Sequence, residues 1–282
     1  MIRRLMVSAI AVLTSLTPLA LAQQSESERI DMYFGDWHTS TPHVTHGVLE
    51  ERDILTRGDP YHPTTKGAIL QFINSYSYAT LAAGASTQPT LLKGQQEIYF
   101  FVSGRGIATA GGMTSDLFQN IAILMPANLE FTLKNTGDEP LAMYIINEPT
   151  PPGFRPNDKM LVRDENTLPI ATSDALWCHI DKMLFVTADG LGTLESVLTL
   201  TLDSLTIAQP HLVDHNDIEE VWAALEGTSV AFISNQLRKQ PPGVAYLHIP
   251  DNKTPHSNIN YMENGQVKFL YFARYHPHET RK

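Results

Sequence analysis

The chain of 282 residues contains one cysteine, Cys178, so no intramolecular disulfide can staple it and its stability must come from a core. Cys178 itself reads as a small buried apolar residue. Basic residues are scarce, with 20 Lys and Arg against 30 Asp and Glu and a net charge of −10. No basic patch stands out, which excludes nucleic acid and anionic membrane surfaces as natural partners. Helical periodicity is nearly absent. Long hydrophobic runs are absent too, with one exception: Leu5 to Leu21, behind Arg3 and Arg4, leading into "ALA" at 20–22. That pattern predicts a signal peptide over residues 1–22 and export to the periplasm or the exterior. Its short apolar stretch and Pro18 argue against a retained membrane anchor. Loss of Arg3 and Arg4 takes the net charge to −12.

What remains is rich in strand signals. Hydrophobic residues make up 43% of the chain, enough for a sizeable core. Short alternating apolar segments, such as "EIYFFVSGRG", "VWAALEGTSVAFI" and "VKFLYFARY", recur between clusters of Gly, Pro, Asn and Asp. Many short strands at this spacing predict an all-β sandwich or barrel. A Pro-rich passage, "EPTPPGFRPND" at 148–158, separates two halves.

The halves repeat each other. "QPTLLKGQQEIYFFVSG" (88–104) aligns with "QPHLVDHNDIEEVWAALEG" (209–227). Both open on Gln-Pro, and both place six residues between a Glu and a Gly, Glu97 to Gly104 and Glu220 to Gly227. The second copy carries two extra residues before its Glu. Downstream, "PANLEFTLKN" (126–135) aligns with "PDNKTPHSNIN" (250–260), so that Phe131 and Asn135 correspond to His256 and Asn260.

These paired anchors resemble the two motifs of the cupin superfamily. The resemblance implies a bicupin, with two double-stranded β-helix barrels of jelly-roll type. Residues 23–69 would form an N-terminal arm, 70–148 the first barrel, 149–174 a linker, and 175–282 the second barrel with a C-terminal tail.

The family's metal ligands are three histidines and one glutamate, a set that holds a divalent ion and leaves positions open for water or substrate. In the first half Thr90, Leu91, Leu92 and Lys93 stand where the first histidines belong, Phe131 replaces the last, and only Glu97 remains. That barrel is expected to hold no metal. Strand alternation puts Glu97, Tyr99 and Phe101 on one face, for an aromatic packed interior or an apolar ligand pocket.

In the second half the resemblance implies metal ligation by His211, His215, Glu220 and His256. His211 stands in for the first motif histidine, whose strict position is Val213. Glu219 is the alternative carboxylate, and Glu220 could also act as a catalytic base. Trp222, Tyr246, His248 and Asn258 are candidate pocket-lining residues. His38, His43 and His46 read as solvated arm residues, and His276 and His278 as tail.

The family implies one divalent ion, iron, manganese, nickel, zinc or copper, and a small-molecule substrate. A metalloenzyme acting on an oxygen-chelating organic molecule, a dioxygenase of quercetinase type first among them, is the leading expectation; isomerase, lyase and hydrolase chemistry are others. A non-catalytic protein that binds a small molecule or sugar is the alternative. A homodimer is left open.

Overall fold

The computed structural model describes residues 25–171, 179–213 and 217–274. The expected signal peptide, Cys178, His215, His276 and His278 lie outside the described residues. Almost every regular element among them is a β-strand, and the strands form two large sheets and two small ones. The first large sheet runs in the order Leu161–Asp164, Ile121–Met125, Gln95–Ser103, Leu141–Pro149, Ser75–Leu81, Leu49–Arg57, His43–Thr45, with Ala68–Leu70 parallel to Leu49–Arg57. The second runs Phe34–Asp36, Val244–Leu247, Glu219–Glu226, Val267–Arg274, Ser196–Leu202, Ile180–Val186. The two orders match strand for strand over their first six members. The small sheets match as well: Thr90–Leu91, Glu130–Asn135, Gly106–Ala110, Met113–Leu117, and Thr206–Ile207, His256–Asn260, Ser229–Ile233, Gln236–Gln240.

The edge strands are exchanged between the halves. Phe34–Asp36, from the stretch expected as an arm, pairs with Val244–Leu247 of the second half. Leu161–Asp164, from the stretch expected as a linker, pairs with Ile121–Met125 of the first. Each exchange covers a row of backbone donors and acceptors that would otherwise be open to pairing. A short helix, Glu26–Asp31, precedes the first strand; its Ser25 cap and Glu28 form a reciprocal capping box. It docks on the second half through Asp31, which receives Arg238 Nε at 2.6 Å.

Strand alternation sorts the core into two clusters. Tyr99, Phe101, Phe131 and Leu133 fill the first half. Their neighbours Ile98 and Phe100 face outward and join a larger cluster with Tyr76, Tyr144, Val221, Trp222 and Phe272 of both halves. Tyr76 and Phe272 touch across this seam, with ring centroids 5.1 Å apart. Burial on both faces explains why Gln95–Ser103 and Glu219–Glu226 read as nearly continuous apolar runs.

The repeated anchors have structural causes. Gly104 and Gly227 close their strands at φ +87° and +71°, where a Cβ would come 2.7 Å from the carbonyl oxygens of Pro140 and Gln266 respectively. Asn260 donates from Nδ2 to the carbonyls of Leu202, Asp203 and Gly265 at 3.1, 2.9 and 3.0 Å. Asn135 donates to Leu81 and Glu139 at 2.9 and 2.8 Å.

Candidate metal centre

Three side chains of the second half converge. Glu220 enters from the strand Glu219–Glu226 and His256 from the first position of His256–Asn260. His211 reaches the same place through an isolated bridge to His256, closed by His211 N–H to His256 O at 3.2 Å and His256 N–H to His211 O at 3.0 Å. The first half pairs Thr90 with Phe131 at the corresponding point. Backbone pairing therefore sets His211 opposite His256, although His211 lies two residues before the strict motif position.

The distances suit a shared ion. Glu220 Oε2 lies 3.6 Å from His211 Nε2, and Glu220 Oε1 lies 3.7 Å from His256 Nε2. The two imidazole centroids are 4.4 Å apart. One ligand atom from each of the three residues falls within 4.8 Å of the others. Glu220 and His256 are buried, whereas a third of the His211 side chain is exposed, which puts the opening on its side.

Protonation follows from burial and neighbours. Burial drives the His256 imidazole down to about 3, against the pull of Glu220, so the ring is neutral at pH 7. Burial works against ionisation of Glu220 as well, but the adjoining imidazoles, His256 first and then His211, hold its carboxyl well below the usual carboxylate range. Neutral imidazoles beside a carboxylate are the form in which these residues ligate a divalent ion.

Two buried atoms make the case for one. His256 Nε2 and Glu220 Oε2 have no hydrogen-bond partner. An unsatisfied buried polar atom costs about 1–3 kcal/mol, and native structures leave few of them. The groups behind these atoms are occupied. Trp222 Nε1–H donates to Glu220 Oε1 at 2.7 Å, leaving Oε2 as the uncommitted oxygen. Tyr246 Oη meets His256 Nδ1 at 3.3 Å. A proton on Nδ1, donated to Tyr246, leaves the Nε2 lone pair facing Glu220, and a partner on the far nitrogen of this kind is what orients metal-bound histidines. The donor set of two imidazoles and a carboxylate fits zinc, iron, manganese, nickel or copper.

The remaining candidates fall as follows. Glu219 points the other way: its Oε2 accepts from Gln71 N–H at 2.5 Å and Phe72 N–H at 3.1 Å, and its Oε1 from Ile73 N–H at 3.0 Å. The alternative assignment of Glu219 as the ligand is corrected, because side chains alternate across a strand and this one is turned to Gln71, Phe72 and Ile73. Asn258 donates to Tyr246 Oη at 2.9 Å, and its Oδ1 has no partner. His248 accepts the Glu220 backbone N–H at 3.1 Å, and its Nε2 is buried without a partner.

His179 was not singled out from the sequence. It is buried, its Nε2 has no partner, and its ring meets Trp222 edge-on at 5.7 Å. Burial lowers its pKa to about 4, helped by His211 and opposed by Glu220. It comes from the lead-in to an outer strand that no motif spacing marks, and its alternation with Asp181 reads in the sequence as a solvated face, although both are buried.

Solved structures match this chain along most of its length. AerE from Microcystis aeruginosa superposes at a TM-score of 0.64 with 14% identity, covering 87% of this chain and 100% of its own. Bacillus subtilis oxalate decarboxylase OxdC superposes at 0.63 with 8% identity, covering 86% and 77%. The 7S globulin of Momordica charantia does so at 0.62 with 10% identity, covering 86% and 84%. This chain has the cupin fold. No family model matches it, and no curated protein matches its sequence. Identities this low carry the fold and say nothing of the reaction.

Within that cupin framework the first half departs from expectation. His46, read as a solvated arm residue, enters the first half and places Nε2 3.1 Å from Glu97 Oε2. Its ring sits 5.8 Å from that of Phe131. Tyr99 Oη also donates to Glu97 Oε2, and Asn147 Nδ2 to Oε1 at 3.1 Å. Glu97 is thus satisfied by side chains. The adjoining cleft, about 340 Å³, is lined by His43, His46, Glu51, Asp53, Glu97 and Asn147 among others. Leu92 is the one apolar residue among those lining it, and the Tyr99, Phe101 and Phe131 rings pack in the core instead, as the aromatic interior expected of this half rather than its alternative, an apolar ligand pocket. His43, Glu51 and Asp53 form a second group with ligand atoms within 4.8 Å of one another, in which His43 is exposed.

Proposed function

We propose that this chain is a metal-binding cupin protein. It holds one divalent ion through His211, Glu220 and His256, with His215 as a further ligand, and it acts on a small organic molecule that chelates through oxygen. The observation that carries this reading is that His211, Glu220 and His256 each bring one ligand atom within 4.8 Å of the others while His256 Nε2 and Glu220 Oε2 are buried without a hydrogen-bond partner. Work on the oxalate decarboxylase of similar fold concerns its Mn(II) centers, so the fold accommodates such an ion.

The bound ion supplies Lewis-acid or redox chemistry, according to its identity. The chain's own groups do the rest. Trp222 fixes the Glu220 carboxylate through one oxygen. Tyr246 and Asn258 orient His256. His211, a third of its side chain exposed, borders the way in. Glu220, if released, would be positioned to take a proton from a substrate hydroxyl. A dioxygenase of quercetinase type remains the first assignment, with isomerase, lyase or hydrolase chemistry behind it. A second reading, small-molecule binding without turnover, draws support from the likeness to a 7S globulin. The chain is also proposed to be exported.

Elemental analysis of the purified chain tests the reading. About one divalent ion per chain is expected for a single site, with its identity dividing redox from Lewis-acid chemistry, and little or none in His256→Ala. Equal metal content in both proteins would refute it.

A further inference from the structure

His248 is held in an unusual way. Its backbone N–H donates to Glu220 O at 3.0 Å, as a ladder partner would. The return bond goes to its side chain instead: the Glu220 backbone N–H donates to His248 Nδ1 at 3.1 Å. A backbone amide always carries its hydrogen, so Nδ1 must be the lone-pair nitrogen and the imidazole proton resides on Nε2. Two bonds to one residue lock the ring. Tyr246, two residues earlier on the same face, reaches His256, and the His248 ring centroid lies 6.0 Å from that of His256. His248 is 1% exposed, and its Nε2 has no partner. The metal centre is therefore flanked by a rigid N–H that can donate and cannot accept.

Resting on the metal-centre reading, we propose that His248 Nε2–H is the hydrogen-bond donor for an anionic oxygen of the ligand bound there, a carboxylate or an enolate. A fixed N–H in a dry site interacts most strongly with an ionised acceptor. It offers nothing to a cation or to a group that can only donate, and it favours an ionised acceptor over a neutral one.

Two variants separate this role from support of the strand. His248→Asn retains an oxygen that can accept from the Glu220 N–H but has no donor at the Nε2 position. His248→Gln places an amide N–H near that position. The full chain is loaded with cobalt(II), and acetate or its neutral counterpart acetamide is titrated while the visible spectrum of the metal is followed. His248→Asn is expected to weaken acetate binding about tenfold, as loss of one bond to a charged group should, and to weaken acetamide, whose neutral carbonyl accepts less strongly, by a clearly smaller factor, with cobalt affinity and melting temperature unchanged. His248→Gln should recover most of the acetate affinity. Cobalt uptake with equal acetate affinity in wild type and His248→Asn overturns the inference alone. Absence of cobalt uptake by the wild type overturns the metal reading and this inference with it.

Discussion

Glu220 has two oxygens with different neighbours, and Glu97 shows what happens when both are taken. In the second half Trp222 claims one oxygen and leaves the other facing His211. In the first, His46, Tyr99 and Asn147 share the carboxylate among them. The same backbone position thus carries a carboxylate with one unpartnered oxygen in one half and a closed ion pair in the other. His46 gives this a pH signature. Burial lowers its pKa, but the hydrogen bond to Glu97 and the charges of Glu97 and Glu51 outweigh burial, and the net shift is upward. A raised folded value means that the pair stabilises fully below the unfolded imidazole value of about 6.5 and that this contribution is lost as pH rises through the folded value. In metal-free protein the melting temperature of wild type relative to His46→Gln should therefore shrink from pH 6 to pH 9; a constant difference would show that His46 carries no charge. Phe131→Ala should cost about 3–5 kcal/mol in denaturant unfolding, since a fully buried ring leaves a cavity. The convergence of Glu220 and His256 was legible because each sits at a fixed spacing inside its own repeated motif. His46 and His179 were not, because they reach their sites from distant segments, His46 through a turn at φ +50° that no local pattern announces.

At the scale of the element, the repeated motifs encode strand ends as much as chemistry. Gly104 and Gly227 stand where a side chain would strike a carbonyl, and Asn135 and Asn260 tie down the turn that follows. These four residues recur in both halves although only one half keeps the candidate ligands. Gly227→Ala should destabilise by at least the roughly 1–2 kcal/mol that left-handed backbone costs an L-residue, measured as a shift in denaturant midpoint, and should lower metal affinity little. An unchanged midpoint would show that the turn relaxes freely. Most strands were readable from alternation. The short edge strands Phe34–Asp36 and Leu161–Asp164 were not, being three and four residues long and set among turn formers.

At the scale of the molecule the halves are bound reciprocally. Glu219 of the second half accepts three backbone N–H bonds from Gln71, Phe72 and Ile73 of the first. Glu148 of the first accepts backbone bonds from Gly192, Thr193 and Leu194 of the second, at 2.9, 2.9 and 3.0 Å. The exchanged edge strands and the shared apolar seam act in the same direction. The sequence shows two halves but not this union, which depends on residues far apart in the chain. Neutralising either clamp, Glu219→Gln or Glu148→Gln, should destabilise by about 1–3 kcal/mol, with unfolding still a single transition. Separate transitions for the two halves in the wild type would contradict a shared core. The most direct measurement for the account as a whole is calorimetric titration of metal-free protein with zinc at neutral pH, comparing wild type, His256→Ala and Glu97→Gln. Glu97→Gln removes the first-half carboxylate, so about one tight site per chain is expected in wild type and in Glu97→Gln, and none in His256→Ala. Tight binding that survives His256→Ala, or that disappears with Glu97→Gln, would contradict it.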